Sequence, residues 1–317
     1  MGMTKKEMDM MGAFVREAIS EFRPHLKGST LNSYWAQIRK LMKASNETTL
    51  EFLRYPEMVK SLVNHLHFTS QRNTYNAVST FLLAIDIEGD LKETITQYEA
   101  WRDELNTRYT QEQKTGIISQ KQEPNFVTID ELQEFIASMK RNILYEERKG
   151  DVNIRMVYVL FEILVRYPLR NDLAGMTLTS KRGYNKLTTE DKQVRNWLVS
   201  NDGSYIIIDN VYKTSKNYGE NQIPIESETL NGIISGYIRK NKFKIGDVLF
   251  PITSNYLSQL LIKYSQQYMG KSISTTMIRK IVTSDKFLDA KLEQEKHAKI
   301  LGHSVGTENA IYIKQKA

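Results

Sequence analysis

The chain has 317 residues, of which 40% are hydrophobic, and this is enough apolar material for two domains with cores of their own. The sequence contains no cysteine, which excludes disulfides, thiol catalysis and cysteine-ligated zinc and is typical of a reducing compartment. No apolar run approaches the roughly 18 residues of a membrane span. The formal charge of +7 favours an anionic partner such as nucleic acid, but only weakly on its own.

Residues 1–107 are expected to form a small helical domain. From residue 10 onward, apolar residues recur at three- and four-residue steps, which is the spacing of one helix face, and no strand-like alternation interrupts them. Ser29 or Thr30 is the expected N-cap of the second helix. The predicted helical segments are GAFVREAISEFRPHL, TLNSYWAQIRKLMKAS, PEMVKSLVNHLHF, QRNTYNAVSTFLLAID and LKETITQYEAWRDELNTRY.

Residues 108–126 are predicted to be a linker. Their sequence, RYTQEQKTGIISQKQEPNF, is polar and contains Gly116 and Pro124, so it offers little that a core could bury. A second domain, residues 127–317, then begins with a helix, for which Thr128 is the expected N-cap and Glu131 completes a capping box. A strongly apolar helix, DVNIRMVYVLFEILVRYP, follows and ends at the turn YPLRND.

The composition then changes to that of a short hairpin. In SYIIIDNVYKTSKNYGENQIPI, β-branched runs flank a polar turn that contains glycine. Four more helices are predicted after it, in SETLNGIISGYIRKN, SNYLSQLLIKYSQQYM, STTMIRKIVTSDKFL and KLEQEKHAKILG. The expected fold is therefore mainly α with a small β-sheet: a helical N-terminal domain, a flexible joint and a mostly helical C-terminal domain.

The second domain carries a set of residues suited to phosphodiester chemistry. Arg170 lies in the turn after the apolar helix, and Lys213 lies at the edge of the hairpin. Arg279 lies inside a predicted helix, His303 at a helix end and Tyr312 in the next short helix. Two arginines, a lysine, a histidine and a tyrosine make poor acid–base pairs for sugar or peptide hydrolysis.

These residue types suit a phosphodiester because negative charge develops on its oxygens when it is attacked. A planar guanidinium can meet two non-bridging oxygens at once, and fixed donors at that position lower the barrier. A tyrosine hydroxyl can act as nucleophile and hold the bond energy in a phosphotyrosyl ester. A lysine can protonate the leaving oxygen. Such a set works without a metal ion, and the sequence offers no convincing carboxylate or histidine cluster for one.

In this order, the five residues resemble the catalytic domain of the tyrosine recombinases, the phage-integrase family. LGHSVGTENAIY is similar to that family's histidine–tyrosine box, including the nine-residue step from His303 to Tyr312, and VYKTSKNYGENQIPI resembles its lysine hairpin. The helical first half resembles the family's core-binding domain, which clamps the far side of the duplex. The turn YPLRNDLAGM is most similar to recombinases encoded by large DNA viruses and virophages.

The resemblance implies a role for each residue. Arg170 and Arg279 would grip the scissile phosphate, Lys213 would be the general acid, His303 would handle the phosphate or a proton, and Tyr312 would be the nucleophile. The enzyme would cleave and rejoin double-stranded DNA through a 3′-phosphotyrosyl intermediate, with no metal, ATP or other cofactor. It would act as a homotetramer on DNA, inside the cell, in the host cytoplasm or nucleus, and not at a membrane.

The chain departs from the family pattern at two positions. Thr276 stands three residues before the second arginine, where the family usually has a histidine, and a threonine hydroxyl cannot serve as an imidazole. Asp172 comes two residues after the first arginine, whereas the family's acidic residue comes three after it. Both remain candidates for catalytic support. The five principal residues also have ordinary structural interpretations, such as helix capping by Arg170, and Lys216 is a rival for the role of Lys213.

The first domain offers cations for DNA contact. They lie on or beside the first two predicted helices, among serine, threonine and tyrosine residues that can approach phosphates and base edges. These candidates are Arg23, Lys27, Arg39, Lys40 and Lys43, with Arg72 as a further one in FTSQRNTYNAV. The alternative is an ordinary polar helix face.

Two other functions remain open at this point. A type IB topoisomerase uses the same chemistry, but one subunit relaxes supercoils and no second duplex is needed. A catalytically weak DNA-binding protein would keep salt-sensitive DNA binding without forming a covalent product. In that case, Thr276 would mark a decayed catalytic site.

Overall fold

The computed structural model describes residues 3–312. The chain divides into two compact units, Met1–Ile118 and Ser119–Ala317. The division lies inside the predicted linker, 108–126, but the first part of that segment is helical because the last helix of the first unit continues to Lys114. Among the described residues, no helix combines the length and the apolar character needed to cross a membrane.

The first unit is helical, as predicted. Its helices are α1 (Lys5–Phe22), α2 (Gly28–Ser45), α3 (Pro56–Val63), α4 (Phe68–Ile85) and α5 (Lys92–Lys114). Helix α4 is central, since it packs on α1, α2 and α5. Helices α1 and α2 approach closely at Gly12, where a Cβ atom would lie 2.6 Å from the indole nitrogen of Trp35.

The predicted N-cap of α2 is wrong. Lys27 is the N-cap, with the extended backbone typical of that position, and no side chain caps the helix. Ser29 and Thr30 lie inside the first helical turn, because the backbone already turns helical at Gly28.

The second unit is also mainly helical. Its helices are α6 (Ile129–Arg148), α7 (Ile154–Arg166), α8 (Lys181–Lys186), α9 (Thr189–Gln193), α10 (Ser215–Tyr218), α11 (Glu228–Asn241), α12 (Ser254–Met269), α13 (Thr275–Ile300) and α14 (Val305–Thr307). Helix α7 is buried almost throughout and packs on α6, α11, α12 and α13, so it forms the centre of this core. The predicted capping box of α6 is confirmed, with Thr128 and Glu131 each accepting from the other's backbone N–H.

A four-stranded mixed sheet lies in the described part of the second unit. Its strands, in spatial order, are β1 (Thr177–Ser180), β2 (Trp197–Asn201), β3 (Ser204–Asp209) and β4 (Asn221–Pro224). β1 and β2 are parallel and the other neighbours are antiparallel. The predicted hairpin is confirmed as β3 and β4, whereas β1 and β2 were not predicted. The coarse fold class, mainly α with a small sheet, is confirmed.

Helix α13 differs from the prediction of two separate helices between residues 274 and 302. It is one continuous helix of 26 residues. The stretch from Arg279 to its end contains neither glycine nor proline, which are the usual causes of a break or sharp kink. Residues 285–293 are exposed on every face. A π-helical turn, Glu308–Tyr312, follows α14.

Candidate functional site

Arg170 lies in a turn that is held by the side chain of the next residue. Arg170 is the N-cap of a short 3-10 turn, Asn171–Leu173, which follows the end of α7. The Asn171 amide donates to the backbone oxygen of Ser254 (2.9 Å) and to the Ser258 hydroxyl (3.1 Å). Its oxygen accepts from the Thr275 hydroxyl at 2.6 Å. The turn is thereby fixed to the first turns of α12 and α13.

The two predicted arginines share one acidic neighbour. Arg170 and Arg279 are both half-buried. Burial raises the pKa of Asp172, while the charges of Arg170 and then Arg279 act in the opposite direction, so both guanidinium groups lie near this carboxyl group. Neither guanidinium makes a hydrogen bond or ion pair with another side chain in the described part of the chain. Two guanidinium groups near one carboxyl group give this part of the second unit donors and positive charge that suit an anion.

A second carboxyl group, Asp209, lies near this site. It ends β3, is only 3% exposed, and its Oδ1 atom has no hydrogen-bond partner. Burial, followed by the charge of Asp172, raises the pKa of Asp209 to about 7. Sequence reasoning missed this residue. Its signal was present in the strand period, because Tyr205, Ile207 and Asp209 alternate onto one buried face.

Asn196, which is 7% exposed, connects the arginine turn to the segment that carries the predicted lysine. Its amide donates to the carbonyl oxygens of Asp172 (2.9 Å) and Val211 (3.2 Å). Its oxygen accepts from the N–H groups of Asn210 (2.9 Å) and Val211 (2.7 Å). Lys213 follows this clamp by two residues and is exposed. No sequence signal identified Asn196, since its partners are all backbone groups of other segments.

The structure separates Lys213 from its rival, Lys216. Lys216 lies in α10 and lines a cavity of about 630 Å³ together with Lys192 and Glu220. Lys213 is not part of that lining and lies closer along the chain to the Asn196 clamp. The two lysines therefore have different surroundings.

His303 and Tyr312 form a separate cluster with two residues that sequence reasoning missed. The rings of His303 and Tyr312 stack, with centroids 5.0 Å apart. The Nε2 atom of His303 lies 3.7 Å from Oε2 of the buried Glu308, which is too long for a hydrogen bond. On the other side of this carboxyl group, Nδ1 of His297 lies 2.6 Å from Oε1. The imidazole of His303 therefore faces a carboxylate in this arrangement, while Tyr312 is 63% exposed.

The structure does not bring this cluster to the arginine pair. The carbonyl oxygen of Ala298 accepts from the backbone N–H of His303 at 3.1 Å, so the cluster lies at the far end of α13. At about 1.5 Å per residue, Ala298 lies about 28 Å along the helix axis from Arg279. Asn309 of the following segment contacts Gln294, about 22 Å along the axis from Arg279, and this distance also exceeds the combined reach of an arginine and a tyrosine side chain. Thr276 is exposed in the first turn of α13, on the arginine side of this gap.

In the first unit, several of the predicted DNA-binding cations share one face of α2. Arg39, Lys40 and Lys43, together called the basic face of α2, are exposed and lie within about a third of the helix circumference. The exposed Ser29 and Ser33 lie on the same side, and α2 contains no acidic residue. Such a face offers both charge and hydroxyl donors to a phosphate backbone.

The other three predicted cations differ in their surroundings. Lys27 is exposed at the start of α2. Arg23 lies over the Phe22 ring, and Arg72 lies over the Tyr109 ring at 4.3 Å. The stacking holds Arg72 in place through a cation–π contact, and its guanidinium remains only partly accessible.

Within residues 3–312, no group of three or more histidine, aspartate or glutamate side chains is arranged to hold a metal ion. Comparison of the chain with protein-family models, with curated proteins and with solved structures finds no match.

Proposed function

We propose that this chain is a tyrosine recombinase-type enzyme that cleaves and rejoins duplex DNA through a 3′-phosphotyrosyl intermediate. The observation that carries the proposal is the pair of half-buried, unpaired guanidinium groups, Arg170 and Arg279, around Asp172. Apart from their shared neighbour Asp172, neither cation has a charged partner among the described side chains, so their guanidinium donors remain free for a ligand. A phosphodiester has the charge and the two free oxygens that suit them.

The proposed chemistry assigns each group one step. The Tyr312 hydroxyl gives its proton to the neighbouring His303 imidazole and attacks phosphorus, forming a phosphotyrosyl ester at the 3′ side of the break. The bond to the 5′ oxygen breaks, and that oxygen takes a proton from Lys213. Arg170 and Arg279 stabilise the charge on the non-bridging oxygens. Attack by a 5′ hydroxyl on the ester then reverses these steps and releases Tyr312.

The partner in this proposal is double-stranded DNA, held in part by the basic face of α2. Exchange between two duplexes needs four strand cleavages, and a homotetramer on DNA supplies one site for each. The protein would thus act in whichever compartment holds its target DNA.

The test is covalent trapping on duplex fragments of the genome that encodes the chain, in EDTA, stopped with SDS. We expect a protein–DNA adduct with the wild type and none with Tyr312→Phe or Arg279→Ala. Tyr55→Phe is a matched control, because Tyr55 is 64% exposed, almost the same as Tyr312, and should keep full adduct formation. An adduct of equal strength in Tyr312→Phe would mean that another residue is the nucleophile.

A second candidate is a DNA-binding protein that does not cut. The separation of Tyr312 from the arginine pair and the threonine at position 276 favour this function. It predicts salt-sensitive binding with no adduct in any variant. A monomeric type IB topoisomerase is less well supported, since a single copy in this conformation does not bring its nucleophile to the arginines.

A further inference from the structure

Glu308 is a buried carboxyl group that lies between two histidines. It directly follows α14 and is 5% exposed. The Nδ1 atom of His297, in α13, lies 2.6 Å from its Oε1 atom. The Nε2 atom of His303 faces the other oxygen, Oε2, at 3.7 Å. Within the described chain, these two imidazoles are the only titratable side chains at ion-pair or hydrogen-bond distance from the carboxyl group.

The two atoms that face each other across the 3.7 Å gap both lack partners. Nε2 of His303 and Oε2 of Glu308 are buried, and neither makes a hydrogen bond to a described residue. A buried carboxylate is costly unless it is paired. A proton on Nε2 would give both atoms a partner once the two groups approach by about 1 Å. The arrangement therefore favours the tautomer of His303 that carries its proton on Nε2, which leaves Nδ1 as an acceptor.

The turn after α13 holds His303 against this carboxyl group. Gly302 has a φ of 71°, in the left-handed region, and this conformation reverses the chain at the helix end. The N–H of His303 donates to the Ala298 carbonyl oxygen at 3.1 Å. Beyond the turn, the Gln294 side chain donates to the Asn309 side chain. The segment after the turn therefore lies back on α13, which keeps the histidine and the carboxyl group together.

Tyr312 is the third member of this arrangement. Its ring stacks on that of His303, with planes 28° from parallel, and it is 63% exposed. Nδ1 of His303 has no hydrogen-bond partner among the described residues. A nucleophile, an imidazole and a carboxylate in this order are the parts of a general-base triad, in which the carboxylate orients the imidazole and stabilises its charged form.

We propose that Glu308 is a positioning residue that activates Tyr312 through His303. The inference rests on the proposed function, in which Tyr312 is the nucleophile. The phenol rotates out of the stack, its proton passes to Nδ1 of His303, and the Nε2–H group donates to Glu308. The carboxylate stabilises the imidazolium while the phenol oxygen forms its bond to phosphorus. His297 holds the carboxyl group from the other side, and the proton returns to Tyr312 when the ester is reversed.

Acetylation by N-acetylimidazole tests the activation without DNA. The reagent transfers its acetyl group to a phenol oxygen and releases imidazole, and mass spectrometry of tryptic peptides measures the rate at each tyrosine. Tyr55 is 64% exposed against 63% for Tyr312, so it is an internal standard for accessibility. We expect Tyr312 to react about tenfold faster than Tyr55, less than the roughly 100-fold of general-base catalysis because the reagent is not positioned. Equal rates would overturn the proposal.

Two substitutions of Glu308 separate its charge from its shape. Glu308→Gln keeps the shape and removes the charge, whereas Glu308→Asp keeps the charge on a shorter side chain. We expect Glu308→Gln to lower the rate at Tyr312 to that of Tyr55, and Glu308→Asp to keep part of the excess. The opposite order would mean that Glu308 only packs the turn. Glu293→Gln is the matched control, because Glu293 is exposed in α13 and has no ion pair with a described residue, and it should keep the full excess.

The same variants test the inference in DNA cleavage. In single-turnover covalent trapping, Glu308→Gln should form the adduct about 100-fold more slowly than the wild type, with an unchanged protein concentration for half-saturation. A wild-type rate in this variant, or a loss confined to half-saturation, would overturn the positioning role and leave the proposed function standing. Fast acetylation of Tyr312 that depends on Glu308, with no adduct in the wild type, would support the activation and overturn the proposed DNA cleavage.

Discussion

The side chain of Asn196 should be the most sensitive polar position in the second unit. It makes four hydrogen bonds to backbone groups of two other segments while almost fully buried. Asn196→Ala would leave two N–H groups and two carbonyl oxygens without these partners. At about 1 kcal/mol for each hydrogen bond, with partial relief where water enters, we expect a loss of about 3 kcal/mol in the free energy of unfolding.

Asn196→Asp tests the same hydrogen bonds with a side chain of nearly equal shape. The new carboxylate would face two carbonyl oxygens that now accept from the amide, and it would add a charge near Asp172. We expect a loss at least as large at neutral pH. Asn217→Ala is the matched control, because Asn217 is exposed in α10 and its side chain makes no hydrogen bond to a described residue. It should change stability by less than about 0.5 kcal/mol.

The assay is hydrogen–deuterium exchange by mass spectrometry in increasing urea, followed on peptides from α7. This readout isolates the second unit, whereas tryptophan fluorescence mixes Trp35 and Trp101 of the first unit with Trp197 of the second. If Asn196→Ala behaves like Asn217→Ala, the clamp does not stabilise the turn and the argument from its hydrogen bonds is wrong.

Two further predictions concern charge. Because the pKa of Asp209 is raised from 3.8 to about 7, the folded chain keeps a proton that the unfolded chain has lost, so stability should fall as the pH rises between these values. Asp209→Asn should remove this fall and be more stable than the wild type at about pH 8. Urea unfolding midpoints measured across this pH range test the prediction. A variant less stable than the wild type at about pH 8 would contradict it. Alanine at all three cations of the basic face of α2 should weaken duplex binding and reduce the slope of log affinity against log salt by up to about 2.7. Fluorescence anisotropy with labelled duplex DNA measures this slope. The control of equal charge replaces the exposed Lys5, Lys6 and Lys92 with alanine. Equal slopes in the two triple variants would exclude a specific role for the basic face of α2.

Local patterns in the sequence predicted most helices of both units. The capping box at Thr128 and the apolar run of α7 are signals within one segment, and such signals do not depend on the rest of the fold. The prediction of two helices between residues 274 and 302 was wrong, because the residues between the two predicted segments are also helical. Charged residues with no glycine or proline among them are compatible with a continuous exposed helix.

The parts that were not predicted depend on contacts between distant segments. β1 has four residues, and its register is set by pairing with β2, so neither strand has a strong pattern of its own. Asn196 bonds to backbone groups of other segments, and Asn171 bonds to a backbone oxygen and two hydroxyl groups of distant helices. Such contacts leave no periodic pattern in the sequence. The distance between Tyr312 and Arg279 could not be predicted from their separation in the sequence either, because it depends on whether α13 bends.

The hydrogen bond from Thr275 to Asn171 has a consequence for the order of folding. It joins positions 104 residues apart, and the bond from Asn171 to the Ser254 backbone joins positions 83 apart. Contacts of such long sequence separation form late, after nearer elements have assembled. On the ribosome, the chain would present the basic face of α2 well before the arginine turn has the partners that fix it. Under the proposed function, a nascent chain can therefore approach DNA before it is able to cut it.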